Sequence, residues 1–237
     1  MSTDTSRKIK LLSFDLDDTL WPCKPTIMAA ERKLYEWMQQ RVPAITQYFD
    51  IESLRTHRIN FLQHRQDLAH DMSALRIESL KALASEMQLE SDWVNEAFDI
   101  FYQARQQVTL FDDVAPVLDS LQKEYRMTAL TNGNASIEKT GVAHWFEFSV
   151  SAAEVGHQKP HPLFFRTMLN RAGLDASEVL HIGDDPYRDI YGAYDAGIRS
   201  VWLNRAGQSW QPEDYQADRQ IETLAALPEI LREMQAN

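Results

Sequence analysis

Residues 8–20, with the sequence KIKLLSFDLDDTL, decide the fold of this chain. The segment begins as a short apolar run that ends at Asp15, a pattern typical of a buried strand. Two more carboxylates, Asp17 and Asp18, follow the end of that strand. Ligands bind outside the carboxyl ends of the strands in an open parallel sheet, so we expect Asp15 and Asp17 to lie at a functional site.

The following segment, residues 22–107, has a helical pattern, little strand signal and no glycine. Apolar residues such as Leu80, Leu83 and Met87 recur at three- and four-residue intervals, as one face of a helix requires. The predicted helices of this segment cover residues 27–40, 53–70, 73–87 and 92–107.

After Phe111 the chain alternates between strand and helix patterns. The predicted strands cover residues 125–131, 147–150, 179–183 and 198–203, and the predicted helices cover 114–124, 162–172 and 189–196. This alternation indicates a parallel sheet covered by helices on both faces. The sequence therefore predicts an α/β fold with a doubly wound, Rossmann-like core (residues 1–21 and 108–237) and an inserted α-helical cap (residues 22–107).

The composition limits the classes of partner. A formal net charge of −11 argues against a nucleic-acid surface, because phosphate backbones require clustered Lys and Arg. The polar start of the chain has no apolar signal-peptide centre, and no run approaches the ~20 apolar residues that span a bilayer. The only cysteine is Cys23, which fits a reducing, cytoplasmic compartment. The expected partner is a small phosphorylated metabolite, and nothing in the sequence indicates an oligomeric state.

Polar residues end three of the predicted strands and would meet at one edge of the sheet. Beside Asp15 these are Thr131 with Asn132, and Asp184 with Asp185. Crowded carboxylates repel one another, and a hard cation such as Mg²⁺ relieves that repulsion through oxygen ligands. A desolvated Asp15 held by such a metal can attack phosphorus and form an aspartyl phosphate.

The remaining polar groups suit phosphoryl transfer. Asp17 lies close enough to Asp15 to protonate the leaving oxygen and later to activate water. Thr131, Asn132 and the backbone N–H groups near them can hold phosphoryl oxygens. Lys159 is expected at the start of a helix, where a cation and the helix dipole both favour an anion.

Four groups of residues, in this order along the chain, resemble the motifs of the haloacid dehalogenase (HAD) superfamily. They are DLDDTL at 15–20, TNG at 131–133, Lys159 with Pro160, and GDD at 183–185 followed by Asp189. The resemblance implies that Asp15 is the nucleophile and Asp17 the general acid/base. It also implies that Mg²⁺ binds the Asp15 carboxylate, the Asp17 backbone carbonyl and Asp184, and that the helical insertion is a C1-type cap.

The resemblance also bears on the substrate. Dehalogenase members lack an acid at the position of Asp17, so a phosphatase is expected. The stretches FDLDDTLW and LTNGNA are similar to a bacterial subgroup that includes a phosphatase of riboflavin synthesis, which acts on 5-amino-6-(5-phosphoribitylamino)uracil. The alternative is a promiscuous sugar-phosphate or nucleotide phosphatase, because cap residues set substrate choice.

Some assignments stay open from the sequence. Asp185 and Asp189 are candidates for residues near the metal that do not bind it. Asp189 either caps the helix that follows or orients Asp184. Trp21 either packs in the core, which we favour, or lines the pocket floor.

A non-enzymatic, phospho-accepting or phosphate-binding module is the rival reading. Receiver domains also combine acidic residues, Thr/Ser and Lys on a parallel sheet. Their acidic pair comes first, however, and the acceptor Asp follows on a later strand. Here the acceptor candidate, Asp15, is on the first strand, and receiver domains have no cap.

Overall fold

The computed structural model describes residues 8–210 and 214–236, so residues 1–7, 211–213 and 237 of the predicted core lie outside the described residues. The described strands are β1 (Leu11–Asp15), β2 (Arg126–Thr131), β3 (Phe148–Ser151), β4 (Val179–Gly183), β5 (Arg199–Leu203) and β6 (Arg219–Ile221). All pair in parallel to form one sheet in the order β3-β2-β1-β4-β5-β6.

The first strand lies in the middle of this sheet. Asp15 pairs in register with Leu130 of β2, and Phe14 pairs with Ile182 of β4. The carboxyl ends of three strands therefore meet at one edge. Since β2 and β3 lie on one side of β1 and β4 to β6 on the other, that edge is the switch point where such sheets bind ligands.

All five predicted strands are present, although their ends differ by up to three residues. The strand pattern beginning at residue 8 starts as a strand only at Leu11. The sixth strand, β6, was not predicted, because three residues with only one apolar member carry no recognisable strand pattern.

Between β1 and β2 the chain is helical. The helices are α1 (Cys23–Arg41), α2 (Pro43–Thr46), α3 (Ile51–His64), α4 (Met72–Glu86) and α5 (Val94–Arg105). They enclose an apolar cluster of their own that includes Leu34, Met38, Leu83, Trp93 and Phe101. The α3 helix is shorter than predicted, since Arg65 leaves helical dihedral angles and begins a 3-10 turn.

The later helices are α6 (Val114–Leu121), α7 (Ala152–Val155), α8 (Pro162–Ala172), α9 (Gly192–Asp195) and α10 (Leu227–Ala236). A π-helical turn, Pro186–Tyr191, precedes α9, so the helix predicted from residue 189 begins earlier. The reason is Asp185, whose carboxylate accepts the N–H groups of Tyr187 and Arg188 and so begins the turn. Neither α7 nor α10 has a counterpart among the predicted helices.

Helices cover both faces of the sheet. Leu12 and Phe14 share an apolar cluster with residues of α6 and α10, whereas Leu11 shares a second cluster with residues of α8 and α9. The predicted doubly wound α/β core with an inserted helical segment is therefore confirmed. The division into core and cap domains at residues 22 and 107 stays a prediction. No helix among the described residues combines the length and apolarity needed to cross a bilayer.

Candidate active site

A buried lysine joins the ends of two strands. Lys159 is 2 % exposed, and its Nζ donates to Asp15 Oδ1 and to Asp189 Oδ1, each at 2.6 Å, and to the Leu130 carbonyl at 3.1 Å. Burial alone would lower the pKa of Lys159, but the charges of Asp15 and Asp189 outweigh burial and raise it. The lysine is therefore a fixed positive charge directly beside Asp15.

The sequence suggested that Lys159 lies at the start of a helix, and this prediction is wrong. The α8 helix starts at Pro162, with His161 as its N-cap. The Asn132 side chain holds the Lys159 backbone instead, accepting its N–H at 2.7 Å and donating to its carbonyl at 3.0 Å. The loop after β2 is thereby tied to the lysine that crosses to β1.

Asp189 is the second carboxylate that binds Lys159. It accepts hydrogen bonds from Lys159, from His181 Nε2 at 3.1 Å and from the Asp185 backbone N–H at 3.1 Å. Burial raises its pKa, but Lys159 and the His181 hydrogen bond lower it below the ordinary range. A Cβ at Gly183 would lie 2.3 Å from Asp189 Cγ, so this carboxyl can approach only because residue 183 is glycine.

The structure separates the two roles that the sequence left open for Asp189. Asp185 is the residue that caps the following turn, so a capping role for Asp189 is wrong. Asp189 instead contacts Lys159 and His181. His181 also binds Ser13 Oγ through Nδ1 at 2.8 Å, which extends the buried chain of hydrogen bonds under Asp15.

Carboxylates crowd the mouth of the site. Oxygen atoms of Asp15, Asp184 and Asp189 lie within 4.8 Å of one another. Burial, with added repulsion from Asp189 and Asp18, raises the pKa of Asp184 to about 7. Burial also raises the pKa of Asp15, and the charge of Lys159 only partly offsets the combined effect of burial and of the Asp189 and Asp184 charges. This excess of hard oxygen donors and negative charge suits a divalent cation.

Asp17 lies on a tight turn that leads into α1. Its Oδ1 accepts from Trp21 Nε1 at 2.8 Å, and Trp21 itself is fully buried. Asp18, in the left-handed conformation at φ 61°, accepts the Cys23 backbone N–H and so links the turn to the helix. Trp21 thus packs in the core, as favoured from the sequence, and also holds Asp17.

The loop after β2 faces Asp17. Thr131 is buried, and its Oγ1 accepts the Gly133 N–H at 2.9 Å. A Cβ at Gly133 would lie 2.8 Å from Asp17 Oδ2 and 3.4 Å from Thr131 Oγ1. A side chain at residue 133 would therefore force the Asp17 carboxylate to shift from this position.

Sequence reasoning missed Arg105, in the last turn of α5. Its Nη2 donates to Asp17 Oδ2 at 2.6 Å and to Oδ1 at 2.7 Å, and the residue is 1 % exposed. Ala97, Phe101 and Arg105 lie four residues apart and share the buried face of the helix. An arginine on an otherwise apolar helix face was the signal available in the sequence.

Two more arginines of the helical segment lie near the site. Arg76 and Arg58 both bind Glu31 Oε1, at 2.8 and 2.6 Å, and the Arg76 guanidinium lies 3.2 Å above the centre of the Phe101 ring. One carboxylate thus faces two guanidinium groups, which leaves this wall with net positive charge.

These groups surround a cavity of about 570 Å³ between the sheet edge and the helical segment. Its lining includes all the predicted site residues: Asp15, Asp17, Thr131, Asn132, Lys159, Asp184, Asp185 and Asp189. The helical side adds arginines and apolar side chains, including Arg105, Ile27, Leu75 and Phe101. A volume in the range of ordinary small-molecule sites accommodates a substrate larger than phosphate alone.

The chain is similar to a family of hydrolases and to several named phosphatases. The sequence profile of haloacid dehalogenase-like hydrolases matches residues 9–197. The chain is similar to YigB of Escherichia coli K12, a 5-amino-6-(5-phospho-D-ribitylamino)uracil phosphatase, with 28% identity over 83% of this chain and 84% of that protein. A glyceraldehyde 3-phosphate phosphatase of Pyrococcus abyssi is 27% identical over 82% and 81% of the two chains.

Solved structures are also similar. The 2-haloacid dehalogenase from Pseudomonas syringae pv. Tomato DC3000 is 38% identical, with a TM-score of 0.88 over 95% of this chain and 99% of that one. The similar proteins thus include both named phosphatases and named dehalogenases.

Proposed function

Because this chain belongs to the haloacid dehalogenase-like hydrolase family, we propose that Asp15 attacks the phosphorus of a phosphomonoester and carries the phosphoryl group covalently. The chain is a phosphatase of this family. The observation that carries the proposal is the buried contact of 2.6 Å between Lys159 Nζ and Asp15 Oδ1. It fixes the orientation of Asp15 and leaves Oδ2 for the attack.

The reaction then has two displacements. Asp15 Oδ2 bonds to phosphorus while the bond to the leaving oxygen breaks, and Asp17 gives that oxygen its proton. Water next attacks phosphorus while Asp17 takes a proton from it. The bond between Asp15 and phosphorus breaks, which releases inorganic phosphate and restores both carboxyl groups to their starting states.

Three groups receive the phosphoryl oxygens. Thr131 Oγ1 and the backbone N–H groups of the loop that begins at Asn132 donate to them, and Lys159 stabilises the charge that develops on them. The Asn132 side chain already binds the Lys159 backbone, so its contribution is to hold the loop in place. Asp189 keeps the Lys159 ammonium directed toward Asp15.

Mg²⁺ fits the donor set at the mouth of the site. Asp15 and Asp184 would hold it with their carboxylates, and Asp17 with its backbone carbonyl. The raised pKa of Asp184, caused by burial and by Asp189 and Asp18, marks the excess negative charge that such an ion neutralises. When bound, Mg²⁺ supplies charge stabilisation for the phosphoryl oxygens. Asp189 already accepts hydrogen bonds from three donors, one of them the Lys159 ammonium, so we assign it to positioning Lys159.

Asp17 favours phosphate esters over organic halides. A halide leaves as a stable anion and needs no proton, whereas an alkoxide leaving group requires one. The Asp17 carboxyl group, which Trp21 and Arg105 hold at the cavity by hydrogen bonds, supports its proposed role as the source of that proton. Dehalogenation, which the similarity to the Pseudomonas syringae enzyme raises, gives the Asp17 side chain no comparable role.

For the substrate, we propose 5-amino-6-(5-phosphoribitylamino)uracil, supported by the similarity to YigB over most of both chains. The cavity of about 570 Å³ has room for its ring and ribityl chain. The alternative is a promiscuous phosphatase of sugar phosphates or nucleotides. Purified enzyme assayed across these three classes distinguishes them, and a higher kcat/KM for sugar phosphates or nucleotides would reject the flavin precursor.

The mechanism is tested with p-nitrophenyl phosphate and 2-chloropropionate. We expect phosphate release that stops with EDTA, returns with Mg²⁺ and disappears in Asp15→Asn, because an amide is not a nucleophile here. Chloride release in place of phosphate release would assign the chain to dehalogenation. A single, stable phosphorylation of Asp15 without turnover would instead support the phospho-accepting module.

A further inference from the structure

His181 is a buried histidine whose two ring nitrogens both have partners inside the protein. It lies in β4, pairs in register with Ser13 of β1 and is fully buried. Its Nδ1 lies 2.8 Å from Ser13 Oγ, and its Nε2 lies 3.1 Å from Asp189 Oδ1. Phe165 packs edge-on against the imidazole, with 5.3 Å between the ring centroids. The ring is therefore held in one orientation between two oxygen atoms.

These partners determine which ring nitrogen carries the proton. Burial would raise the pKa of Asp189, but Lys159 and His181 outweigh burial and lower it, so Asp189 is a carboxylate. A carboxylate only accepts hydrogen bonds, and Nε2 of His181 must therefore donate. Burial lowers the pKa of His181, so the ring is neutral and its Nδ1 is left to accept from the Ser13 hydroxyl. Ser13 thus fixes the tautomer in which His181 donates to Asp189.

Asp189 connects this histidine to the nucleophile. Its Oδ1 accepts from both His181 and Lys159, and its Oδ2 accepts a backbone N–H at 3.1 Å. The Lys159 ammonium lies between this carboxylate and Asp15, at 2.6 Å from an oxygen of each. A continuous series of buried hydrogen bonds therefore begins at Ser13 and ends at the nucleophile.

We propose that His181 is a positioning residue for phosphoryl transfer: its Nε2–H holds the Asp189 carboxylate in the orientation that directs Lys159 at Asp15. This inference rests on the proposed function and deepens it. His181 is not among the residues that line the cavity, so it acts through Asp189 and Lys159. The competing explanation is that His181 only fills the core, and then any replacement that preserves the fold would preserve turnover.

Two amide side chains separate these explanations, because they reach different atoms of the imidazole. The amide nitrogen of glutamine reaches the place of Nε2, whereas that of asparagine reaches only the place of Nδ1. His181→Gln therefore keeps a donor to Asp189, and His181→Asn removes it. The control is Thr128→Val in β2, since Thr128 is also fully buried and pairs in register with Ser13. Its hydroxyl donates to the Phe148 carbonyl at 2.8 Å, so this variant loses a buried hydrogen bond outside the site.

The experiment measures kcat and KM for p-nitrophenyl phosphate with Mg²⁺, together with Tm, for wild type and the three variants. In His181→Asn we expect kcat to fall about tenfold or more with KM changed less than about twofold, because a displaced Lys159 weakens transition-state contacts. His181→Gln should keep most of the wild-type kcat, and Thr128→Val should lower Tm without changing kcat. Equal kcat values in His181→Asn and His181→Gln would overturn the inference.

Nitrogen NMR of histidine-labelled wild type tests the contact without turnover. We expect the neutral Nε2–H tautomer for His181 near neutral pH, with its signals assigned by their disappearance in His181→Gln. An Nδ1–H tautomer or an imidazolium would overturn the inference. Wild type that releases no phosphate would instead overturn the proposed function, whatever the tautomer of His181.

Discussion

Replacing Lys159 with methionine tests the centre of the site most directly. Methionine has nearly the same length but no charge, so it removes the ammonium group without leaving a large void. The change leaves Asp15 and Asp189 without the cation that contacts each of them at 2.6 Å. Asp189 is 1 % exposed and keeps only the donors from His181 and the Asp185 backbone.

The size of the effect follows from burial. Breaking a buried ion pair costs roughly 3–5 kcal/mol, because an uncompensated charge remains. We expect about 3 kcal/mol here, the low end, since Asp15 faces the cavity. In a chain of this size each kcal/mol lowers Tm by roughly 2–4 °C, so Tm should fall by roughly 6–12 °C. The value of kcat should fall on the order of 10²–10³-fold with the loss of charge stabilisation.

The matched control is Lys10→Met. Lys10 contacts Glu178 at the same distance of 2.6 Å, but its side chain is 55% exposed. An exposed pair is worth about 0–1 kcal/mol, so Tm should hardly change. Thermal unfolding and single-turnover phosphate release are measured for both variants. Equal Tm shifts, or a Lys159→Met enzyme with normal kcat, would refute the argument from burial and charge.

Three further changes probe other contacts. Gly133→Ala should reduce kcat on the order of 10²-fold with little change in Tm, because its Cβ would lie 2.8 Å from Asp17 Oδ2; normal turnover would contradict this. Burial alone would raise the pKa of Glu31, but its two arginine partners outweigh burial and lower it. The ion pairs of Glu31 therefore stabilise the fold fully at pH values above the ordinary pKa of about 4.3, and this stabilisation is lost as the pH falls through the lowered pKa. Glu31→Gln should therefore cost about 3 kcal/mol in urea unfolding at pH 7, and this difference should shrink below about pH 4; a pH-independent difference would exclude the ion pairs as its cause. Ser13→Ala should lower the free energy of unfolding by about 1–3 kcal/mol, because it leaves His181 Nδ1 buried and without its partner. Urea unfolding curves that coincide with those of wild type would contradict this.

The sequence predicted those features that local patterns encode. The apolar run ending at Asp15 identified β1, and the alternation of strands and helices after Phe111 indicated the parallel sheet. Since parallel strands end at the same edge, the convergence of Asp15, Thr131 and Asp184 followed from the strand assignments. The residue roles and the cytoplasmic location inferred from Cys23 stay predictions.

Contacts between distant residues could not be predicted in the same way. Ser13 and His181 each lie inside a strand, and neither residue indicates by its own sequence position which side chain it binds. Their hydrogen bond depends on the register between β1 and β4. The role of Asp189 was misjudged because the start of its helix was predicted three residues late, at residue 189 instead of Pro186, so that the Asp185 cap was missed. Arg105 meets Asp17 only because α5 packs beside α1 and ends at the sheet edge.

The central place of β1 has a consequence for synthesis. Its partners β2 and β4 begin at Arg126 and Val179, so β1 leaves the ribosome long before either neighbour exists. Contacts among α1 to α5 are closer in sequence and can form earlier, whereas long-range strand pairing is slow. We expect that α1 to α5 form first in the nascent chain, while the apolar segment of β1 remains without its partner strands β2 and β4. That interval is when the chain is most exposed to aggregation and most dependent on chaperones.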